Sequence, residues 1–150
     1  MFAPKKILVP TDFSVYADNA LKQALDIAKQ NKAKLFLFHA IDDGFQQCAV
    51  DYCINEGDVQ RILKESIKNA QDKLHQEAKK ITDSNPKIEI VYDAKRGIPY
   101  EEILKEQEEK GIDLIVIASH GKTGILKNLI GGVVDKVVKR AKCQVLLVRS

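Results

Sequence analysis

The chain has 150 residues, 45% hydrophobic and 30% charged, with a net charge of +3. That length suits one domain with one core, and the balance is that of an ordinary globular protein. No apolar run approaches the ~20 residues a membrane span needs, and the charge is too small to argue for nucleic acid.

Met1 leads almost directly into Ile7-Leu8-Val9, without the ordered regions of a signal peptide. These features predict a cytoplasmic protein with neither a membrane nor a nucleic-acid partner. Lys136, Lys139, Arg140 and Lys142 alternate with apolar positions, as on a solvated helix face. Cys48, Cys53 and Cys143 are odd in number and form no Cys-x-x-Cys, so they read as reduced thiols.

Ile7 to Val9 is a short buried strand ending at Pro10. Asp12 or Ser14 can cap the helix that follows, because an oxygen on either side chain can accept an orphan N–H. Ala17, Ala20, Leu21, Ala24, Leu25 and Ala28 recur at helical spacing. Leu35 to Ile41 is a second strand, apolar almost throughout and so covered on both faces. Residues 42 to 57 have no clean period and read as a loop or irregular insertion. Val59, Ile62, Leu63, Ile67, Ala70, Leu74, Ala78 and Ile81 mark a long amphipathic helix. Ser84-Asn85-Pro86 breaks it.

Ile88, Ile90 and Tyr92 give a third strand, with Lys87, Glu89 and Val91 on the alternate positions, as at a sheet edge. Gly97-Ile98-Pro99 opens the next crossover. Pro99 suits a first helical turn, and Glu101 and Glu102 complement its dipole. The helix stops at Gly111, and Asp113 to Ala118 is the fourth strand. A polar, glycine-containing loop follows. A helical stripe then runs through Leu126, Leu129, Ile130, Val133, Val134, Val137, Val138 and Ala141, and Val145 to Val148 is the last strand.

Strands alternating with helices predict an α/β fold: an open five-stranded parallel sheet, doubly wound and Rossmann-like, with right-handed crossovers. Ligands of such sheets bind at the carboxyl ends of the strands, where the strand order reverses. With the first and fourth strands central, the order is 3-2-1-4-5. The candidate positions then follow strands one, two and four: Pro10-Thr11-Asp12, His39-Ala40-Ile41, and Ala118 onward.

Gly131-Gly132 lies at or just inside the start of the last helix. A glycine inside a helix costs roughly 0.5–1 kcal/mol relative to alanine. Two readings of the pair stand: close backbone approach to a phosphate at a helix N-terminus, or tight packing on the sheet. Gly121-Lys122-Thr123 imitates the end of a Walker A loop. That loop needs a glycine five positions earlier, where Val116 stands inside a strand.

The runs Lys6-Ile7-Leu8-Val9-Pro10-Thr11-Asp12-Phe13-Ser14, His39-Ala40-Ile41-Asp42, Gly97 to Ile103, and residues 115 to 148 together resemble the universal stress protein family over nearly the whole chain. The resemblance implies an ATP-binding signature: Gly-x-x-Gly, nine residues, then Gly-Ser or Gly-Thr. Here the first position is Ala118, the second Gly121, the third Gly131 after nine residues, and the hydroxyl position Gly132, so two of four match. It further implies that Pro10, Thr11 and Asp12 lie beside the nucleotide and that backbone groups of Ala40 meet the adenine edge. Ile117 and Val133 complete the matching positions, and His120 lies in the loop near the phosphates.

ATP, or another adenine nucleotide, is therefore the expected ligand. Asp12 could hold a nucleotide-bound Mg²⁺, which commonly uses one or two carboxylates plus phosphate oxygens. Hydrolysis would be slow at most, because no triad partner for His120 and Ser119 is visible. A response-regulator receiver is excluded, since it needs an acidic cluster after strand one and a Lys after strand five. The alternatives are a homodimeric interaction module without nucleotide and a weak ATPase. Val145-Leu146-Leu147-Val148 is an apolar edge without Pro or Lys, which predicts a homodimer through this strand.

Overall fold

The structure is a computed structural model that describes residues 1–42, 55–120 and 132–149. Its elements alternate: β1 (Lys6–Pro10), α1 (Val15–Asn31), β2 (Lys34–Asp42), α2 (Glu56–Ser84), β3 (Ile90–Gly97), α3 (Pro99–Lys110), β4 (Leu114–Ala118), α4 (Val133–Arg140) and β5 (Gln144–Val148). All four strand pairings are parallel, and the order is β3-β2-β1-β4-β5. This is the doubly wound α/β sheet the alternation predicts. Gly44, Cys48 and Cys53, read as part of a loop, lie outside the described residues, as do Gly121, Gly131 and the first positions of the last helical stripe, Leu126, Leu129 and Ile130.

The pleat sorts the apolar strand residues into two layers. Ile7, Val9, Leu35, Leu37, Leu114 and Val116 face α1 and α2, meeting Ala20, Ala24, Ala28, Ala70, Leu74 and Ile81. Leu8, Phe36, Phe38, Ile115 and Ile117 face α3 and α4, meeting Ile103 and Val137. The alanines of α1 let that helix lie close to the sheet. Both faces being covered explains why the central strands read as unbroken apolar runs.

The amino end of the sheet is tied down by side chains. The Asp113 carboxylate accepts from the backbone N–H of Lys5 at 3.0 Å and of Lys6 at 3.2 Å. Lys5 Nζ donates to the carbonyl of Asn31 at 2.7 Å, and Lys6 Nζ to that of Lys110 at 3.1 Å. Each ammonium thus meets the negative end of a helix and satisfies one of its orphan carbonyls.

Two boundaries and the exposure of one strand residue differ from the sequence reading. β3 continues to Gly97, with Asp42 opposite Gly97, although Asp93 to Arg96 carry polar side chains. The polar side chains belong to an edge: Lys95 leans over to an ion pair with Glu106 and another with Glu109 at 3.2 Å. Tyr92 shares the face of Ile88 and Ile90 but is 39% exposed, because it meets the margin of α2, where its hydroxyl lies 2.9 Å from Nδ1 of His75. Gly132 is the N-cap of α4, with φ −79° and ψ 174°. It is extended and outside the helix, so the interior-glycine cost inferred for it does not arise.

Candidate functional site

β1 and β4 are neighbours whose crossovers leave in opposite directions, which opens a crevice at their carboxyl ends. The turn after β1 lines it. Thr11 is buried, and its N–H donates to the carbonyl of Phe38 at 2.8 Å. Its hydroxyl oxygen accepts from the N–H of Phe13 at 3.0 Å. Asp12 Oδ1 accepts from the N–H of Ser14 at 3.0 Å, and Ser14 Oγ accepts from that of Ala17 at 3.2 Å. Of the two cap candidates, Ser14 is therefore the N-cap of α1, and Asp12 makes the turn that precedes it. The Asp12 carboxylate lies at the positive end of α1, where the dipole favours it.

Phe13 has φ 64°. A left-handed conformation costs a residue with a side chain about 1–2 kcal/mol, and such outliers persist only where the surroundings over-determine them. Here two contacts do so. The Phe13 ring packs against His39 with centroids 4.7 Å apart, and Lys73 Nζ lies 5.2 Å from the Phe13 centroid. His39 Nδ1 also lies 2.7 Å from the carbonyl oxygen of Thr11.

β2 brings half-buried Ala40 to the same end of the sheet as the turn, and β4 brings Ile117 and Ala118, both buried. Beyond β4, the N–H of Ser119 donates to the Val148 carbonyl at 2.9 Å, which holds the exit of β4 against β5. Ser119 Oγ lies 3.0 Å from His120 Nδ1, and the His120 ring is 5.2 Å from that of Tyr16 in the first turn of α1. Tyr16 and His120 thus join α1 to the residues just beyond β4. Gly132 and Val133 stand at the start of α4, and Val133 is 37% exposed. A Cβ added at Gly132 meets nothing within 4 Å among the described residues.

Pro10, Thr11, Asp12, Ala40, Ile117, Ala118 and His120 therefore lie at the carboxyl ends of three adjacent strands. Phe13 and Tyr16 belong to the same end and were not among the candidate positions, whereas His39 was. The strain at Phe13 had no signal in the sequence, since a bulky aromatic is a poor predictor of positive φ. His39 did have one, at the last turn of a strand that ends at the crevice. As for metal, no group of three or more His, Cys, Asp or Glu side chains is placed to hold an ion among the described residues. The Asp12 carboxylate suits only an ion that brings phosphate ligands with it. Cys143 is half-buried. Burial, then the Asp113 charge, push its thiol pKa up, opposed by a backbone hydrogen bond, so it is a poor nucleophile at neutral pH. Among the described residues, no helix is long and apolar enough to cross a membrane.

The model of the universal stress protein family matches residues 4–149. The chain belongs to the universal stress protein family. A universal stress protein of Methanocaldococcus jannaschii is 31% identical over 97% of this chain and 94% of its own length. The solved structure of the universal stress protein UspA from Lactobacillus plantarum superposes with TM-score 0.78 at 25% identity, over 97% of each chain. Another solved universal stress protein, in complex with cAMP, superposes with TM-score 0.63 at 25% identity, over 99% of this chain and 98% of that one. In this universal stress protein the strand order is that of the family fold.

Proposed function

We propose that this universal stress protein is a stress-response regulator that binds an adenine nucleotide, ATP foremost, at the carboxyl ends of β1, β2 and β4. The observation that carries the reading is the convergence of Pro10-Thr11-Asp12, Ala40 and Ile117-Ala118 on the crevice between β1 and β4. A solved relative in complex with cAMP supports the adenine class. In this reading Ala40 meets the base edge through its backbone. Asp12 contacts the ribose or a nucleotide-borne Mg²⁺, and the segment from Ala118 through His120, Gly121, Gly131 and Gly132 to Val133 wraps the ribose and phosphates. The chain acts as one domain and as a homodimer through Val145–Val148, in the cytoplasm.

Any turnover is slow hydrolysis at most. Ser119 and His120 are in contact, but Ser119 is only 7% exposed, which suits a positioned loop better than an activated nucleophile. The runner-up is an interaction module without nucleotide, favoured by the apolar β5 edge.

The test is to denature freshly purified protein and identify any released nucleotide, then to titrate ATP, ADP and AMP by calorimetry. Gly121→Val and Asp12→Ala are each expected to weaken ATP binding by roughly tenfold or more, with His120→Ala weaker in effect. No released nucleotide and no binding heat in any titration would promote the interaction module. Loss confined to His120→Ala, with a robust turnover abolished, would promote an enzyme.

A further inference from the structure

We infer that His39 is the positioning residue of the site: its ring holds the Thr11–Phe13 turn in the geometry that presents Asp12 to the ligand. The inference rests on the adenine-nucleotide reading for what the turn presents, and on the structure alone for how the turn is held.

Both polar groups of the Thr11 backbone are held by β2. The N–H donates to the Phe38 carbonyl at 2.8 Å, and the carbonyl lies 2.7 Å from His39 Nδ1. A carbonyl can only accept, so Nδ1 carries a proton in this contact, which fixes the tautomer of the neutral ring. The same ring packs on Phe13, whose left-handed backbone is the strained point of the turn. One side chain therefore holds the residue before Asp12 by a hydrogen bond and the residue after it by ring packing. Asp12 lies between these two holds, and its own Oδ1 is oriented by Ser14. His39 is also the neighbour of Ala40 on β2. The ring thus links the strand that offers the base edge to the turn that offers the carboxylate. Residues held on both sides in this way lose little freedom on binding, which raises affinity through preorganisation.

Two variants of the full chain separate the two contacts. The amide nitrogen of His39→Asn can occupy the position of Nδ1, so that variant keeps the donor to Thr11 and loses the ring. His39→Phe keeps a ring against Phe13 and loses the donor. Both lose some packing, so melting temperature falls in both, and the positioning role is read from ATP titration and from nuclear magnetic resonance. The His39 imidazole, assigned by its loss in His39→Asn, is expected to be protonated at Nδ1. His39→Phe is expected to move the amide resonances of Thr11, Asp12 and Phe13 and to weaken ATP binding by about tenfold. His39→Asn is expected to stay within about threefold of the parent.

Turn resonances and affinity unchanged in His39→Phe, or a His39 ring protonated only at Nε2, would overturn the inference while leaving the nucleotide reading intact. If the parent binds none of ATP, ADP and AMP, the nucleotide reading falls by itself. Displaced turn resonances in His39→Phe would then still support the positioning of the turn, and unmoved ones would sink both.

Discussion

The two outer strands of the sheet are finished in opposite ways. β3 is the polar edge. Asp93 Oδ1 accepts from the N–H of Ala94 at 2.9 Å, Lys95 is paired with Glu106 and Glu109, and Tyr92 is bonded to His75. β5 is the apolar edge. It presents Val145, Leu146, Leu147 and Val148, with Leu146 37% exposed and Val138 of α4 48% exposed. A strand edge offers unpaired backbone groups to any other strand, and charge on the edge is the usual deterrent. One edge carries that deterrent and the other does not, so a single sheet has one side closed to pairing and one side open. The open side is also joined to the candidate site, because Val148 accepts the N–H of Ser119.

The largest expected effect is on assembly. In a two-fold pairing of β5 with its own copy, Leu146→Lys brings like charges to the axis, which costs several kcal/mol. The dimer dissociation constant is expected to rise on the order of a hundredfold, and light scattering at micromolar protein should show the monomer. Val91→Lys, at a 37% exposed position on β3, should leave the mass at that of the dimer. A monomeric parent, or equal loss of dimer in both variants, would break the comparison.

The second effect is on stability and belongs to the polar edge. Glu106 is 2% exposed, and Lys95 is its ion-pair partner. Breaking a buried pair from one side costs roughly 3–5 kcal/mol. Lys95 is itself a third exposed, so water takes over part of the lost interaction. Glu106→Ala should therefore cost about 1–3 kcal/mol and lower Tm by ~3–10 °C. The hydrogen-bonding contact with Glu106, opposed by partial burial and aided by Glu109, raises the Lys95 pKa. A lysine raised on folding contributes stability that is fully present below its unfolded pKa, near 10.4, and lost only as pH rises through the higher folded value. The Tm difference between parent and Glu106→Ala should thus stay constant from pH 6 to 9. A difference that vanished anywhere in that window would remove the lysine pair as its cause.

The contrast between the edges was only half legible in the sequence. Val145 to Val148 reads as an apolar strand because period and composition agree there. The second half of β3 does not, because Lys95 is set by its partners Glu106 and Glu109 on α3, and a polar run looks the same whether it is a loop or a protected edge. The site divides similarly. The positions after β1, β2 and β4 follow from the alternation of elements alone, since topology places a crevice there. The holding of the turn does not: His39 meets Thr11 and Phe13 across 28 and 26 positions of chain, and no local pattern announces a left-handed Phe. Gly132 is a third case, at the boundary where helix rules begin to hold. Treated as helix interior it is a conflict, and as an N-cap it is an ordinary choice.

The smallest expected effect lies on the open side of the sheet, where α4 feeds β5. Gly132 stands where resembling ATP-binding proteins carry the hydroxyl residue of the signature. Its φ of −79° suits any residue, and an added Cβ meets nothing within 4 Å among the described residues, so serine enters without strain. As an N-cap, Gly132→Ser gains only a few tenths of a kcal/mol in helix stability. A hydroxyl bonded to a charged phosphate is worth more, ~1.5–3 kcal/mol. ATP affinity should therefore rise by roughly tenfold while Tm without ligand moves by a degree or so. Titrating ATP, ADP and AMP into both proteins separates capping from phosphate contact. Capping alone lifts all three alike or none, whereas phosphate contact gives a gain for ATP that shrinks toward AMP. A loss of ATP affinity in Gly132→Ser would mean that the phosphates pass through the space open at Gly132, and that glycine is the fitted residue there.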